Sequence, residues 1–304
     1  MKKIKIFLIT VLCFAILYCT ILTPKEQEEI SVHFIDVGQA DSTLIECNEH
    51  YILIDGGNTA DSDIIYSVLE KAGVDTLDLL IVTHAHEDHV GGIPAAFEYV
   101  HEIKEVLCSV TESDCYNFDV FKERAEAHGG IKIPSVGDEY VLGGAVVKIL
   151  GLNGGNNDNV NDQSIIVRID YKDVSFLLTG DAEKTAEATL LESGADLDVD
   201  VLKVGHHGSG TSSSQVFLDA VTPKYAIISV GAANDYDHPP AGILERLNAT
   251  GAELFRTDWQ GDVILTSDGK NIYVETENDA SREQLMTPGG KTENVYTLTS
   301  QESD

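Results

Sequence analysis

Positive charge is scarce in this chain: 20 lysines and arginines face 51 aspartates and glutamates, a formal net charge of −31. A surface this acidic repels polyphosphate chains, which excludes tight, sequence-independent holding of a nucleic acid by the folded part alone. Cysteine is sparse as well. Of five cysteines, Cys13 and Cys19 fall in an apolar terminal stretch, leaving Cys47, Cys108 and Cys115, an odd set that excludes a disulfide framework. Cys108 and Cys115 suit a bridge in an oxidising compartment and, equally, plain apolar filling. No internal repeat or linker interrupts the middle of the chain, so nothing marks a second domain within it.

Long hydrophobic runs are also absent, with one exception. Lys2, Lys3 and Lys5 precede seventeen uncharged residues, Ile6 to Leu22, which read as a signal peptide or a short membrane anchor with its positive end in the cytoplasm. The exit, Tyr18 to Thr23, shows no small-residue cleavage pattern, which favours an uncleaved anchor, and bulky Tyr18 disfavours lipoprotein processing at Cys19. Either reading puts the remainder outside the cytoplasmic membrane. At the far end, Glu275, Glu277, Asp279, Glu283, Glu293, Glu302 and Asp304 lie in a stretch without apolar periodicity. The expected organisation is a leader or anchor over 1–28, one folded domain over 29–278 and a disordered acidic tail over 279–304.

What the chain does have is a concentrated set of ligand-type side chains. The apolar run Leu79-Leu80-Ile81-Val82 leads into THAHEDHVGG (83–92), which packs His84, His86, Asp88 and His89 into six residues at a strand end. Nitrogen and oxygen donors on a short, stiff loop are what a divalent cation such as zinc requires. Positions i and i+2 of an extended segment point the same way, so His84 and His86 can share one cation, while Asp88 and His89, turned by the next helix, face a second. Gly91 and Gly92 permit the tight turn that follows.

Around this loop the chain reads as alternating elements. Short β-rich runs at 32–35, 43–45 and 51–54 form an antiparallel meander, followed by a helix over 64–72 that ends at Gly73. Helices are expected near 91–100, 119–128, 182–191, 213–221 and 241–249, and further strands at 106–108, 146–150, 165–169, 174–178, 199–203, 225–229 and 253–256. Two sheets facing each other with helices outside is the economical packing of such a list.

FIDVGQADS (34–42), LIDGG (53–57), the histidine loop, NDQSIIVRI (161–169), LLTGDAE (177–183), LKVGHHGSGTSSS (202–214) and DHPP (237–240) occur in an order that resembles the hydrolase domain of ComEC-type competence proteins. The histidine loop is similar to the H-x-H-x-D-H signature of metallo-β-lactamase-fold hydrolases. The resemblance implies a four-layer αββα sandwich, two divalent metal ions (zinc first, manganese second), and Asp181 as the carboxylate shared between them. His84, His86, Asp88, His89, Asp181 and His207 are then the metal ligands. Adjacent residues of an extended chain point oppositely, so His207 is assigned as ligand and His206 as an inward orienter or acid. His238, fixed before two prolines, is a seventh ligand or the proton donor to the leaving group. A further histidine, common in enzymes of this fold with two ligated metals, is replaced by Asn161-Asp162-Gln163-Ser164, which leaves the position beside His84 and His86 short of a ligand. Asn161 and Ser164 are assigned to a substrate phosphate or a metal-bound water, and Ser209 to substrate oxygens.

The sequence therefore points to an exported, membrane-tethered hydrolase of a small or polymeric phosphoester, a phosphodiester foremost, acting through a metal-activated water, with Asp88, His238 and His206 as catalytic groups. Exported phosphorylcholine esterases, which share the G-H-H-G-S block, suggest a cell-envelope substrate. ComEC-type proteins couple this domain to a many-helix channel for which 304 residues leave no room, so a nuclease role in DNA uptake needs partners. A non-catalytic, metal-containing binding module of an envelope complex is the rival from another class. The charge makes one outcome testable without knowledge of the substrate. In a titration at physiological salt, the soluble part should bind duplex DNA no tighter than about micromolar, because non-specific affinity comes from cation release at Lys and Arg contacts; nanomolar binding would overturn this.

Overall fold

Ile30, Val32 and Phe34 are fully buried while Ser31 and His33 between them are half-exposed, the period-two pattern of a strand with one face on a core. The computed structural model describes residues 28–152 and 158–290. The apolar N-terminal segment, the Gly/Asn-rich stretch 153–157 and the last fourteen residues lie outside the described residues. Among those described, no helix is long and apolar enough to cross a membrane.

The chain opens with the meander β1 (Ile30–Phe34), β2 (Thr43–Cys47) and β3 (His50–Ile54), then α1 (Ser62–Ala72), which ends at left-handed Gly73. The short β4 (Thr76–Leu77) precedes β5 (Leu79–Val82), whose four residues are all buried. After α2 (Glu87–Val90) and α3 (Pro94–Tyr99) come β6 (Glu102–Ile103), β7 (Val106–Cys108), α4 (Tyr116–Glu126) and β8 (Ile131–Lys132). The second half runs β9 (Glu139–Leu142), β10 (Ala145–Gly151), β11 (Ile166–Tyr171), β12 (Val174–Leu178), α5 (Lys184–Glu192), β13 (Val201–Lys203), α6 (Gln215–Val221), β14 (Tyr225–Ile228), α7 (Ala241–Thr250) and β15 (Glu253–Arg256). It closes with α8 (Thr257–Gln260), the hairpin β16 (Val263–Ser267) and β17 (Ile272–Thr276), and α9 (Arg282–Leu285).

Two sheets result. One has eight strands in the order β17-β16-β1-β2-β3-β5-β7-β8, the other seven in the order β15-β14-β13-β12-β11-β10-β9. Each is antiparallel on one side and parallel on the other, the parallel strands being those joined through helices. Three apolar clusters separate the layers. Phe34, Ile54, Val147 and Phe176 belong to the cluster between the sheets; Ile65, Leu69, Phe118 and Phe121 seal one sheet under α1 and α4; Leu190, Leu218 and Leu244 seal the other under α5, α6 and α7. Three apolar interfaces make four layers, the αββα sandwich expected from the sequence.

Several boundaries differ from expectation. The helix expected over 119–128 begins at Tyr116, with Cys115 as the cap. The hairpin of β16 and β17 was not read from the sequence, although β16 pairs with β1 and extends the first sheet. Its outer strand is only half-buried at alternate positions, which gives little apolar signal. The disordered tail does not begin at 279. Ser281 and Gln284 form a capping box at the start of α9, and the buried Arg256 donates from Nη1 to the carbonyls of Leu285 (2.9 Å) and Thr287 (2.5 Å). A four-residue helix held by one arginine has no periodicity to detect. Residues 291–304 lie outside the described residues. Cys47, Cys108 and Cys115 are free thiols, so the bridge considered for Cys108 and Cys115 does not form.

Arg256 is fully buried and pairs through both Nε and Nη2 with Asp258, at 3.0 and 2.6 Å. Breaking a buried pair from one side strands the other charge. Arg256→Ala should therefore lower stability by about 3–5 kcal/mol in a denaturant titration and open the backbone near Arg282 to limited proteolysis. A loss below about 1 kcal/mol would show that Asp258 finds water instead.

Candidate metal centre

The loops that carry the candidate ligands sit at one edge of the sandwich because β5, β12, β13 and β14 all end there. After β5, Thr83 to Ala85 lead to His86, which caps α2 in an extended conformation (φ −80°, ψ 153°), so Asp88 and His89 turn back over the strand end. Gly91 and Gly92 are required by proximity. A Cβ on Gly91 would lie 2.8 Å from the carbonyl carbon of Asn58, and one on Gly92 would run into the carbonyl of Gly56. His89 O in turn accepts the N–H of Gly56 at 2.8 Å, which locks the two loops together.

Asp181 follows β12 through Thr179 and a left-handed Gly180, and its backbone N–H is held by Ser164 Oγ at 3.0 Å. Its carboxylate is buried and surrounded by imidazoles. Oδ1 lies 3.3 Å from His89 Nε2; Oδ2 lies 3.9 Å from His84 Nε2, 3.6 Å from His206 Nε2 and 3.7 Å from His207 Nε2. His207 Nε2 also lies 3.1 Å from Asp88 Oδ2, and His84 Nε2 lies 3.0 Å from His86 Nδ1.

Both His206 and His207 reach the centre, where only one of them was expected to. The chain there is not extended: His206 and His207 have φ of 51° and 52°, the left-handed region, and both rings swing to the same side. Consecutive non-glycine residues in that region cost on the order of 1–3 kcal/mol each and persist where the surroundings dictate them.

Of the residues assigned to substrate, Asn161 lines the cleft and Ser164 and Ser209 do not. Ser164 is buried behind the histidines, donating to Asn161 O at 2.7 Å with its Oγ 3.4 Å from His84 Nδ1, so it positions Asp181 and His84 and does not face substrate. Ser209 is buried against Thr211 Oγ1 at 3.0 Å. The cap of α6 is Ser214.

Several residues that matter here carried no role in the sequence reading. Asp55 accepts the N–H (2.8 Å) and hydroxyl (2.8 Å) of Thr83 and binds His89 Nδ1 at 2.8 Å, which commits His89 to offering Nε2. His207 is oriented likewise by its Nδ1 contact to Ser229 O at 3.0 Å. Lys203, buried at the end of β13, pairs with Asp41 from the other half of the sandwich. Asn234 ties its loop through Gly231 O (3.0 Å), His238 O (2.7 Å) and the N–H groups of Tyr236 (3.1 Å) and His238 (3.0 Å). Asp41 and Asp55 stood inside quoted sequence blocks, and Lys203 interrupts an apolar run; those were the available signals.

Ligand atoms of Asp88, His89, Asp181 and His207 all lie within 4.8 Å of one another, a set with the spacing a cation needs. Asp41, Asp55 and His89 also cluster, but Lys203, Thr83 and His89 itself already engage those carboxylates. The set fits a metal by a second criterion. Among the described residues, buried polar atoms without a hydrogen-bond partner include Asp41 Oδ1, His89 Nε2, Asn161 Oδ1, Asp181 Oδ1 and His238 Nδ1, all at this centre. Natural proteins rarely leave such atoms unpaired, and a bound cation is what carboxylate and imidazole donors together satisfy.

Electrostatics agree. Burial opposes ionisation of Asp88 and Asp181, yet His89 and His207 outweigh it and hold both well below the usual carboxylate range. Burial likewise opposes charge on His89, but Asp181, Asp55 and Asp88 raise its pKa well above the ordinary value. His84, buried and beside His89, is pushed well below it. A cleft of 520 Å³ opens onto these groups, with Glu87, Asn161, Tyr236 and His238 on its walls.

A metal competes with the proton on His89 Nε2, and that proton is retained up to the raised pKa. Affinity should therefore keep climbing with pH, by about tenfold per unit, beyond the range in which an ordinary imidazole has already lost its proton, and level off only above the raised pKa. Isothermal titration with zinc at several pH values checks this; a pH-independent constant would mean that His89 is not a ligand.

Residues 35–232 match the Metallo-beta-lactamase superfamily. Among curated proteins, ComE operon protein 3 of Bacillus subtilis (strain 168) is 28% identical over 271 residues, covering 83% of this chain and 35% of that protein. Competence protein ComA of Neisseria gonorrhoeae is 33% identical over 237 residues, 77% of this chain and 32% of its own length. The chain thus spans about a third of the length of these relatives. Among solved structures, the diiron β-hydroxylase CmlA from Streptomyces venezuelae superposes with a TM-score of 0.50 at 16% identity, over 77% of this chain and 53% of that one, a likeness of fold alone. The sandwich, its edge cluster of histidines and aspartates and the match over residues 35–232 together make this chain a member of the metallo-β-lactamase superfamily.

Proposed function

We propose that the protein is an exported, metal-dependent hydrolase that cleaves a phosphoester, with phosphodiesters as the preferred class. The observation that carries the reading is Asp181, whose Oδ1 faces His89 and whose Oδ2 faces His84, His206 and His207 at the floor of an open cleft. A closed structural site would leave no such access. The donors are imidazole nitrogens and carboxylate oxygens, which suit zinc and also manganese. Bound there, two divalent ions would polarise a phosphoryl group and acidify an attacking water. Export is proposed from the lysines and apolar stretch of the N-terminus.

The chain's own residues divide the remaining work. Asp88, anionic and partly exposed on the cleft, would orient the attacking water. His238 stands across the cleft, its ring 5.6 Å from that of His206 and stacked against Tyr236 at 5.7 Å. Burial and then the neighbouring His206 and His207 push its pKa down to about 4, so it is neutral in the free protein. An anionic phosphoester beside it supplies the charge that favours the protonated form, which makes proton donation to the leaving oxygen dependent on substrate.

A second reading, a nuclease-like component of DNA uptake acting with partners, is favoured by the competence proteins among the curated relatives. The acidic surface counts against it for the isolated domain. A non-catalytic module is disfavoured by the open cleft and by Asp88, which a structural site does not need.

Asp88→Asn keeps the size of the side chain and removes its charge, so hydrolysis should collapse with the fold intact. His238→Ala should retain metal and lose on the order of 10²-fold more rate on substrates with poor leaving groups than on a nitrophenyl phosphodiester. Metal content and the two rates decide: shed metal, or equal slowing on both substrates, would make His238 a ligand.

A further inference from the structure

We propose that His206, held by Glu183, is the ligand that completes the cation position beside His84 and His86, a role that replaces the acid role expected from the sequence. The inference rests on the metal reading above and specifies it. Ligand count sets the problem. His84 Nε2, His86 Nδ1 and Asp181 Oδ2 are three donors, whereas zinc in a protein takes four and harder cations take more. His206 Nε2 lies 3.6 Å from the same Asp181 oxygen that His84 faces.

The imidazole is also prepared as a ligand. Its Nδ1 lies 3.2 Å from Glu183 Oε1, and that carboxylate is fixed: Asn161 Nδ2 donates to Oε1 at 3.0 Å, Asn159 Nδ2 donates to Oε2 at 3.1 Å, and Asp162 Oδ1 accepts the backbone N–H of Glu183 at 2.9 Å. With Glu183 and the Thr211 hydroxyl (3.4 Å) beside Nδ1, a ring that carries its proton on that nitrogen would present a lone pair at Nε2. The nearby Asn161 Nδ2, at 3.5 Å, meets that lone pair as a donor would. This is how Asp55 prepares His89 and the Ser229 carbonyl prepares His207. His89, His206 and His207 thus face Asp181 through Nε2 with a polar group behind Nδ1, the arrangement in which a metal-binding imidazole offers Nε2.

Two further observations point the same way. The left-handed backbone at both His206 and His207 brings two adjacent rings to one carboxylate, which ordinary extended chain does not do. Asn161, nine-tenths buried on the cleft wall, turns its amide nitrogen to Glu183 and His206 and leaves its amide oxygen without a hydrogen-bond partner. Glu183 and Asn161 accordingly are positioning groups for a site made of His84, His86, Asp181 and His206.

The test is metal content by elemental analysis and titration calorimetry with zinc and with manganese, on wild type, His206→Ala, Glu183→Gln and His238→Ala. Wild type and His238→Ala should hold two ions per chain, and His206→Ala one, kept by Asp88, His89, Asp181 and His207, which also reports that the variant is folded. Glu183→Gln should weaken the second ion by about 10–100-fold and leave the first unchanged. Two ions at unaltered affinity in His206→Ala would overturn the proposal and return His206 to proton donation, as would loss of both ions there with Glu183→Gln unaffected. A wild type that binds no ion would instead overturn the metal reading itself.

Discussion

A buried carboxylate that must stay ionised governs this molecule. Asp181 is 2% exposed, and a negative charge in that position persists only because imidazoles and, on the reading argued above, cations surround it. Everything at the sandwich edge serves that requirement. The buried strands β5, β12 and β13 stop at one level, glycines let the loops between them pass at backbone contact, and Asp55, Ser229 and Glu183 each fix one imidazole from behind. The interior supplies rigidity and the edge carries unsatisfied donors, which is the division of labour expected of a site on a scaffold.

The sign of the surface and the sign of the centre are opposed. The chain carries −31, yet the centre in its metal-free form collects imidazoles, of which His89 holds a proton well above the usual pH range. Such contrast does not favour a long polyanion lying across the protein, but it does not prevent a phosphoryl group entering one cleft whose floor gathers imidazoles. Tyr236, exposed on the cleft wall and stacked on His238, gives that entrance an apolar side.

The fold was legible in the sequence where burial was one-sided or complete. β7, β12 and β15 match the expected residues, and α1 stops at Gly73 because only that residue takes the left-handed turn without cost. What escaped was structure without periodicity: the half-buried β17, the four-residue α9, and the docking of the C-terminal segment by Arg256. At the centre, the residues that carry chemistry showed themselves by type and spacing. The residues that orient them did not, because Asp55 and Glu183 act on residues far along the chain and Asn234 through contacts within one loop, and no apolar periodicity encodes either. That both His206 and His207 turn to the centre escaped for a related reason, since the alternation rule applies to extended chain and the backbone there is left-handed.

The central claim is that Asp181 is shared by two cations, and anomalous diffraction from crystals soaked in manganese or zinc addresses it most directly. The account predicts two peaks flanking the carboxylate, one among Asp88, His89 and His207 and the other among His84, His86 and His206. A single peak, or one enclosed entirely by protein ligands with no side open to the cleft, would contradict it.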